Sequence, residues 1–476
     1  MSNPIPAAAE RPACDVLVVG GGPAGSTAAA VLAEKGWRVT LLEKERHPRF
    51  HIGESLLPHN LPIFKRLGVL EQVDAIGIRK PGVDFTAELE VRGHHQFRFS
   101  FALDKSQPYA YEVRRAEFDH LLLRNCAAKG AQVLEGVRVT RVDFPEGGDP
   151  VAHAVDEQGR ECRWSCRYFI DATGRDTLLS KKFDLKRKNR HHASAAIFGH
   201  FLGVERRPGE DAGNISLYWF QHGWFWMIPL KDGSMSVGAV CRPEYLKQRR
   251  NSPPEFLMQT IALAPAEMRQ RMRNATLMDN MARATGNYSY QSTRMRGERY
   301  LLVGDAFAFI DPVFSSGVLL GMNSGLLGAE AVDVWLREGA AAAQPRFRHF
   351  ERMVLRGVET FSWFIRRFNS PGMRFLMLQP GNPFRVQEAV ISLLAGDVFR
   401  DIGARSRFRL FKFFYLLFSL RYPRESLRLW LLRIRNPRVA FTGGTTPLDL
   451  EGQPAPAVSA PPSAASARTP PARQVR

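Results

Sequence analysis

The first residues with a chemically informative spacing are three glycines between an apolar strand and a helix. They follow the apolar run Val16 to Val19 in a GxGxxG pattern. Glycines at these places allow a tight turn, close approach of the backbone to a pyrophosphate, and close packing of the helix on the strand. The free N–H groups at the start of the helix favour the phosphates. The residues assigned to this loop are Gly20, Gly22, Pro23, Ala24 and Gly25.

An acid at the end of the next apolar strand completes the pattern. Glu43 stands where a carboxylate accepts hydrogen bonds from the hydroxyls of an unphosphorylated ribose, and Lys44 beside it is assigned to the same ligand. A lone GxGxxG pattern is weak evidence, because a glycine-rich turn without a ligand has the same spacing. Here the strand, glycines, helix, second strand and acid all fall in register. The segment therefore predicts a dinucleotide site.

Arginines and acids at other predicted strand ends point to the same ligand. One arginine follows the second strand, and another lies at a strand-to-helix junction from which a guanidinium can reach a phosphate or a ring. Two later apolar strands end in Asp-Ala-Thr-Gly and Gly-Asp, where the backbone can approach a nucleotide and an acid can bind a sugar hydroxyl. The residues assigned to the cofactor here are Arg49, Arg115, Asp171, Gly174, Gly304 and Asp305.

Three further features are suggestive, although each has a neutral interpretation. Ser316 and Gly317 open an apolar helix, and the amides and positive dipole end at such a start favour an anion. Lys80 stands beside a Pro-Gly turn, where a lysine is usually a solvated surface residue. Trp224 and Trp226 are two apart on a predicted strand and therefore share a face, which most often belongs to a core but can also wall a pocket.

The charge of the chain limits its partners. The 476 residues carry a formal net charge of +19, which suits nucleic acid, an anionic membrane face, a phosphopantetheine carrier protein or small anions. No compact nucleic-acid-binding motif occurs, so no nucleic acid partner is predicted. Five irregularly spaced cysteines favour neither a metal site nor a disulfide framework. With no signal-peptide pattern and no apolar run of membrane-spanning length, we expect a cytoplasmic protein.

Three motifs in this order resemble the FAD-binding core of the flavoprotein monooxygenases, as in hydroxybenzoate hydroxylase. They are GGGPAG, VRRAEFD and GDAFAFIDP, and the resemblance covers residues 14 to 330. It implies that the cofactor is FAD, with its ADP part in the glycine loop. It also implies that Arg115 contacts FAD and that Asp305 holds the ribityl chain.

Four further segments are similar, more specifically, to the flavin-dependent halogenases. WFWMIP (224–229) matches their WxWxIP motif, FIDPVFSSG (309–317) resembles FxDPxFSSG, and IGESLLP (52–58) resembles their loop after the first βαβ unit. Lys80, in KPGVDF, falls where that family carries its active-site lysine. The resemblance therefore implies that Lys80 is catalytic and that Ser316 and Gly317 bind halide. The active-site wall would consist of Trp224, Trp226, Pro312 and Phe314.

One departure from the family bears on the substrate. Tryptophan halogenases have a glutamate two residues before the Thr-Gly that binds chloride, and here that position is Phe314. The Phe-Ser-Ser-Gly version resembles the phenol- and pyrrole-type branch, which often acts on carrier-bound substrates. This implies that free tryptophan is not the substrate. The substitution also removes the obvious candidate for a general base.

The chemistry that the resemblance implies uses FADH2, oxygen and chloride or bromide. A separate flavin reductase would supply the reduced FAD, and hypohalous acid would form near Ser316 and Gly317. Electrophilic halogen would reach an electron-rich phenolic or pyrrolic ring through Lys80, by a hydrogen bond or as a haloamine. Two alternatives stay open. One is a monooxygenase or geranylgeranyl-reductase-like flavoenzyme, and the other is a non-catalytic FAD-binding subunit that docks on a carrier protein or a membrane.

The expected fold is α/β (α+β). A Rossmann-like FAD-binding domain (14–330) would carry an inserted antiparallel substrate sheet from 77–110 and 190–298, followed by a basic helical region (331–440). Residues 1–13 are expected to be flexible, and the Pro/Ala-rich 441–476 to be disordered. Within 405–438, ten basic residues and one acid are interleaved with Phe, Leu and Trp. This pattern favours a lid helix with a solvated basic face, or peripheral contact with a carrier protein or the inner membrane face.

Overall fold

The computed structural model of the protein describes residues 11–400 and 403–423, together with residues 427 and 431. The strands are β1 (Arg11–Val19), β2 (Val39–Glu43), β3 (Ile78–Lys80), β4 (Gly82–Glu88), β5 (Arg92–Arg98), β6 (Ala110–Glu112), β7 (Gln132–Glu135), β8 (Val137–Asp143), β9 (Val151–Asp156), β10 (Glu161–Asp171), β11 (Lys186–Leu202), β12 (Ile215–Phe220), β13 (Gly223–Pro229), β14 (Met235–Cys241), β15 (Thr276–Leu277), β16 (Arg283–Ser292), β17 (Tyr300–Leu302) and β18 (Ala308–Phe309). The helices are α1 (Pro23–Glu34), α2 (Leu61–Leu67), α3 (Leu70–Ile76), α4 (Arg115–Ala128), α5 (Leu178–Lys182), α6 (Pro243–Leu246), α7 (Pro253–Ile261), α8 (Ala266–Arg271), α9 (Gly317–Glu338), α10 (Ala340–Ile365), α11 (Pro371–Leu378), α12 (Val386–Leu394) and α13 (Ala404–Leu420).

A mainly parallel sheet holds the predicted nucleotide motifs. Its strand order is β7-β2-β1-β10, with β17 also pairing β10 and with β9 and β8 added antiparallel. Val19 pairs with Asp171, so the strand ends that precede the two turns meet at one edge. The helix α1 packs closely on α9, since a Cβ on Gly325 would lie 2.4 Å from the carbonyl oxygen of Ala24. These features confirm the expected Rossmann-like arrangement.

A second sheet of nine strands lies in the order β18-β16-β11-β14-β13-β12-β4-β5, with β15 attached to β11. Neighbours are antiparallel except for β12 and β4, which run parallel. The strands come from two separate parts of the chain, because β4 and β5 precede the crossover helix α4. This is the inserted antiparallel layer that the alternating sequence predicts. It is built from β4–β5 and from the strands between β11 and β18.

A small two-stranded ribbon connects the two sheets. β3 pairs with β6, placing Ile78 opposite Glu112 and Lys80 opposite Ala110. Ser55 forms an isolated bridge to the other side of Glu112. Diagonal side chains on one face of an antiparallel pair lie close enough for long residues to meet. The ribbon therefore brings Lys80 and Glu112 together.

The C-terminal part is helical, as expected, although the predicted boundary at residue 330 falls inside α9. The predicted flexible segment 1–13 overlaps β1, which begins at Arg11, and its first ten residues lie outside the described residues. The Pro/Ala-rich segment 441–476 and most of 424–438 also lie outside them. Among the helices that the structure describes, none combines the length and apolar character needed to cross a bilayer.

Candidate functional site

The glycine loop after β1 is shaped by close backbone contacts. Gly20 has a φ of +109°, and a Cβ there would lie 2.2 Å from the carbonyl oxygen of Ala172. A Cβ on Gly25 would lie 1.9 Å from the carbonyl oxygen of Gly20. Gly22 differs, because the nearest atom to its missing Cβ is a guanidinium nitrogen of Arg49 at 3.9 Å. Two glycines are thus required for folding, whereas Gly22 leaves space beside an arginine for a ligand.

This contrast gives a prediction. Gly22→Ala should fold normally and lower the affinity for FAD by roughly tenfold, because the methyl group takes space that the pyrophosphate needs. Gly25→Ala should instead lower the melting temperature of the protein, since its Cβ overlaps backbone. Fluorescence titration of FAD and thermal unfolding separate the two effects. Unchanged FAD affinity in Gly22→Ala would contradict this placement of the pyrophosphate.

Glu43, Lys44 and Arg49 surround the loop with charge. The carboxylate of Glu43 is buried and accepts hydrogen bonds from the backbone N–H groups of Gly21 and Glu45. Lys44 forms an ion pair with Asp176 at 2.7 Å. The guanidinium of Arg49 lies 3.4 Å from Asp119. Arg49 therefore faces the space at Gly22, whereas Lys44 is engaged at the rim.

Arg115 is held firmly at the start of α4. Its Nε and Nη2 donate to the two carboxylate oxygens of Asp119 at 2.8 and 3.0 Å, and its Nη1 donates to the carbonyl of Ile52 at 2.9 Å. Burial would raise the pKa of Asp119, but the nearby Arg115 outweighs it and lowers that pKa. His51 lies in the same loop, and burial beside Arg115 lowers its pKa to about 3. The loop is thus fixed by an ionised pair and a neutral histidine.

The acids at the two later strand ends behave differently. Asp171 is fully buried and accepts hydrogen bonds from the backbone N–H groups of Thr173 and Leu179, so its carboxylate shapes its own turn. Gly174 has open space where a Cβ would be. Gly304 and Asp305 line a cavity that also reaches Gly317. The strand end at Asp171 therefore offers backbone atoms to a ligand. The strand end at Gly304 and Asp305 forms one side of a cavity.

Lys80 is the most unusual residue in the structure. Its side chain is fully buried, and its Nζ donates to Ser55 Oγ at 2.8 Å and to the carbonyl of Leu56 at 3.0 Å. It lies 5.5 Å from the centre of the Phe99 ring. Burial lowers the pKa of Lys80, and Glu112 partly opposes this shift. A buried amine with a lowered pKa is available as a nucleophile.

Glu112 is a site residue that the sequence analysis missed. Its carboxylate is fully buried, lies 3.9 Å from Lys80 Nζ, and accepts a hydrogen bond from Ser55 Oγ at 3.2 Å. Its second oxygen has no hydrogen-bond partner among the described residues. Burial raises the pKa of Glu112 to about 8, although Lys80 lowers it. A glutamate in an otherwise apolar three-residue strand is the signal that could have identified it.

A second cavity opens directly beside Lys80. Its lining is apolar apart from Lys80 and Ser315, and it receives side chains from both sheets, from the turn before α9, and from Ile391 and Leu394 of α12. The lining residues are Leu57, Lys80, Val83, Phe85, Phe97, Phe99, Ile215, Leu217, Val313, Phe314, Ser315, Ile391 and Leu394. The cavity measures about 20 Å³, so an aromatic ring would contact the amine once the lining side chains move apart.

The turn before α9 separates the two cavities. Phe314 and Ser315 line the cavity at Lys80, whereas Gly317 lines the cavity at Asp305. Between them, Ser316 is buried, and its Oγ has no hydrogen-bond partner among the described residues. An unpaired hydroxyl at the N-terminus of a 22-residue helix is suited to an anion.

Of the four residues predicted to form the active-site wall, one lines the cavity at Lys80. Phe314 is buried and lines it, whereas Pro312 is exposed and does not. Trp224 and Trp226 do share a face, with ring centres 6.0 Å apart, but they lie outside the lining. Trp224 packs on Phe368, which in turn packs edge-on against Phe314. Trp224 thus supports the wall from behind, and Trp226 packs beside it.

The comparisons with known proteins identify the family of this chain. A family model described as an FAD binding domain matches residues 13–338. A flavin-dependent halogenase of Armillaria mellea is 34% identical over 347 residues, which cover 68% of each protein. The chain belongs to the flavin-dependent halogenase family. A tryptophan 2-halogenase of Chondromyces crocatus is 39% identical over 323 residues, and the match covers 67% of this chain and 60% of that protein.

Other similar proteins match over more of the chain. The 1H-pyrrole-2-carbonyl-[peptidyl-carrier protein] chlorinase of Pseudomonas fluorescens is 28% identical, covering 81% of this chain and 89% of that one. Among solved structures, a myxobacterial chondrochloren halogenase has a TM-score of 0.70 at 32% identity, covering 83% and 92%. A flavoprotein/dehydrogenase of Cytophaga hutchinsonii has a TM-score of 0.79 at 26% identity, covering 86% and 99%.

The cofactor of this FAD-dependent oxidoreductase family is FAD, and the residues present fit it. The backbone is open at Gly22, Gly174 and Gly317. At each of them, no atom lies closer than 3.9 Å to the position that a Cβ would take. Side chains there would fill the groove that a dinucleotide needs. Arg49 lies beside Gly22, where the phosphates would bind, and Asp305 lines the cavity that reaches Gly317.

Proposed function

We propose that this protein halogenates an electron-rich aromatic ring of the phenolic or pyrrolic type. The observation that carries the proposal is the buried amine of Lys80, which lines an apolar cavity together with Ser315. The next residue, Ser316, has a buried hydroxyl without a hydrogen-bond partner among the described residues. Reduced FAD, when bound, would supply two electrons that, with two more from a chloride or bromide ion, reduce oxygen to water and hypohalous acid. Ser316 and Gly317 hold the halide, between the cofactor cavity and the cavity at Lys80.

Lys80 carries the halogen to the substrate. Its amine reacts with hypohalous acid to give a haloamine and water, and the haloamine then transfers halogen to the ring. In that transfer, the carbon–halogen bond forms as the nitrogen–halogen bond breaks, the nitrogen gains one proton, and the ring loses one. The reaction needs a neutral amine, because an ammonium has no lone pair to attack halogen.

Glu112 holds the proton that this cycle moves. As halogen leaves the nitrogen, the Glu112 carboxyl donates its proton to Ser55 Oγ while the hydroxyl proton of Ser55 passes to Lys80 Nζ, along contacts of 3.2 and 2.8 Å. The proton that the ring loses then restores the Glu112 carboxyl. The raised pKa of Glu112, caused by burial, keeps its carboxyl protonated near neutral pH and therefore ready to donate.

The cavity and the relatives support the substrate class. Apolar walls favour a flat ring, and Phe314 offers no carboxylate to a charged substrate. One relative is named for a pyrrolyl group on a carrier protein and another for position 2 of tryptophan, which lies in the pyrrole part of an indole. A pyrrole-like ring is common to both names. We propose that the ring is presented free or on a carrier protein, and that a separate flavin reductase supplies FADH2.

Halide oxidation tests the proposal without knowledge of the substrate. Purified protein receives FAD, a flavin reductase, NADH, oxygen and bromide, and bromination of a small β-diketone trap is followed by absorbance. Catalase and a reaction without protein are the controls. We expect trap bromination that requires both the protein and bromide.

A second candidate is a flavin oxidoreductase that does not use halide. The similarity to a flavoprotein/dehydrogenase over 99% of that chain favours it. This candidate predicts direct oxidation of NADPH by the protein without an added reductase, and no trap bromination. Such a result would replace the proposed function.

A further inference from the structure

The outward side of α13 is an apolar stripe that no described residue covers. Phe413, Leu416, Leu417 and Leu420 are 58%, 60%, 51% and 68% exposed. Their spacing of i, i+3, i+4 and i+7 places them on one side of a helix. Large apolar side chains that are exposed together mark an interaction surface.

The opposite side of α13 is firmly packed on the protein. Phe408 stacks on Phe364 of α10 with ring centres 5.1 Å apart, and Phe418 stacks on Phe375 of α11 at 4.5 Å. The helix is therefore held by its inner side, and the exposed stripe is not needed to keep it in place. As far as the described residues show, the stripe is available to a partner.

Basic residues flank the stripe. Arg405 and Arg409 are exposed on α13, Arg421 follows it, and no acid occurs between residues 403 and 423. A helix with Phe and Leu on one side and Lys or Arg at its margins binds the surface of an anionic bilayer. It buries the apolar side chains at the headgroup boundary and pairs the cations with lipid phosphates.

We propose that α13 docks this protein on an anionic membrane surface. A second copy of the chain is disfavoured as the occupant, because the same arginines would face one another. An acidic, polar protein surface would satisfy the charges but would leave the four apolar side chains in water. The bilayer satisfies both.

Vesicle flotation of the full-length protein tests this docking. We expect the protein to float with vesicles of phosphatidylcholine and phosphatidylglycerol (3:1) but not with pure phosphatidylcholine, and 0.5 M salt should release most of it. The double variant Phe413→Ser, Leu417→Ser should bind at least roughly tenfold more weakly, because two apolar side chains no longer enter the bilayer. Leu263→Ser, which changes an equally exposed leucine after α7, should bind like the wild type.

The docking does not depend on halogenation, so the two proposals fail separately. Unchanged FAD content and trap bromination would show that the double variant is folded. Absence of vesicle binding by the wild type, equal binding to neutral vesicles, or full binding by the double variant would overturn the proposal. Binding of a phosphopantetheine carrier protein, or self-association, that depends on the stripe while vesicles are not bound would also overturn it.

Discussion

Lys80→Met is expected to abolish ring halogenation while leaving halide oxidation intact. The cofactor groove and the turn at Ser316 do not include Lys80, so trap bromination should stay within about twofold of the wild type. Ring halogenation should fall by at least roughly 10³-fold, because the variant has no amine to carry halogen, and positioned nucleophiles and proton donors act on this scale. Mass spectrometry of products from a resorcinol and from pyrrole-2-carboxylate provides the measurement.

The same experiment has a readout that needs no substrate. With bromide but no acceptor ring, wild-type protein should carry one bromine on the peptide that contains Lys80, reversible by thiol, and Lys80→Met should not. Lys65→Met, an exposed lysine of α2, is the matched control and should behave as the wild type. The variant should fold, since methionine fills the site and the raised pKa of Glu112 lets that carboxyl remain neutral. A parallel loss of trap bromination and ring halogenation would contradict the assigned role.

The glycine motifs and the layer order were predictable because local sequence fixes them. Gly25 contacts the backbone of Gly20, and Gly20 contacts the backbone of Ala172 after the neighbouring strand. A side chain fits at neither place, so the residue type itself indicates the contact. The alternating stretches of the second sheet likewise reveal one buried face without any knowledge of the partner strand. Such features are visible in the local sequence even where the contact they serve, as between Gly20 and Ala172, joins distant parts of the chain.

The polar centre was less predictable because pairing across the chain creates it. Lys80 and Glu112 are 32 positions apart and meet only when β3 and β6 pair, and Ser55 joins them from a third segment. Lys80 next to Pro-Gly predicts a solvated lysine on local grounds, and only the resemblance to halogenases indicated otherwise. Its complete burial is a tertiary effect that overrides the local pattern.

Some assigned residues serve the fold rather than the open cavities. Asp171 directs its carboxylate to Thr173 and Leu179, and Lys44 pairs with Asp176. Both stand at strand ends, where a motif predicts position but not the direction of a side chain. Competing hydrogen-bond donors in the neighbouring turn determine that direction.

Glu112→Gln should separate haloamine formation from halogen transfer. The amide keeps the shape of the side chain but cannot hold the proton that returns to Lys80 Nζ. Bromine should therefore accumulate on Lys80, while ring halogenation falls by roughly 100-fold, the scale of general acid catalysis. Ser55→Ala should have a similar effect, because its hydroxyl links the two side chains, and the double variant should be little worse than either single one. Glu117→Gln, an exposed acid on the first turn of α4, is the control.

The pH dependence distinguishes this role from a structural one. A donor is present only while the carboxyl is protonated, so wild-type ring halogenation should fall as the pH rises through about 8, the raised pKa of Glu112. The glutamine variant should lack this basic limb. Between the ordinary pKa of a glutamate and about 8, the folded state holds this proton whereas the unfolded state has lost it. The free energy of unfolding should therefore decrease as the pH rises over that range. The melting temperature of Glu112→Gln should decrease less than that of the wild type. If both proteins kept the same pH profile for product formation, Glu112 would be a packing residue and the proton would have to come from elsewhere.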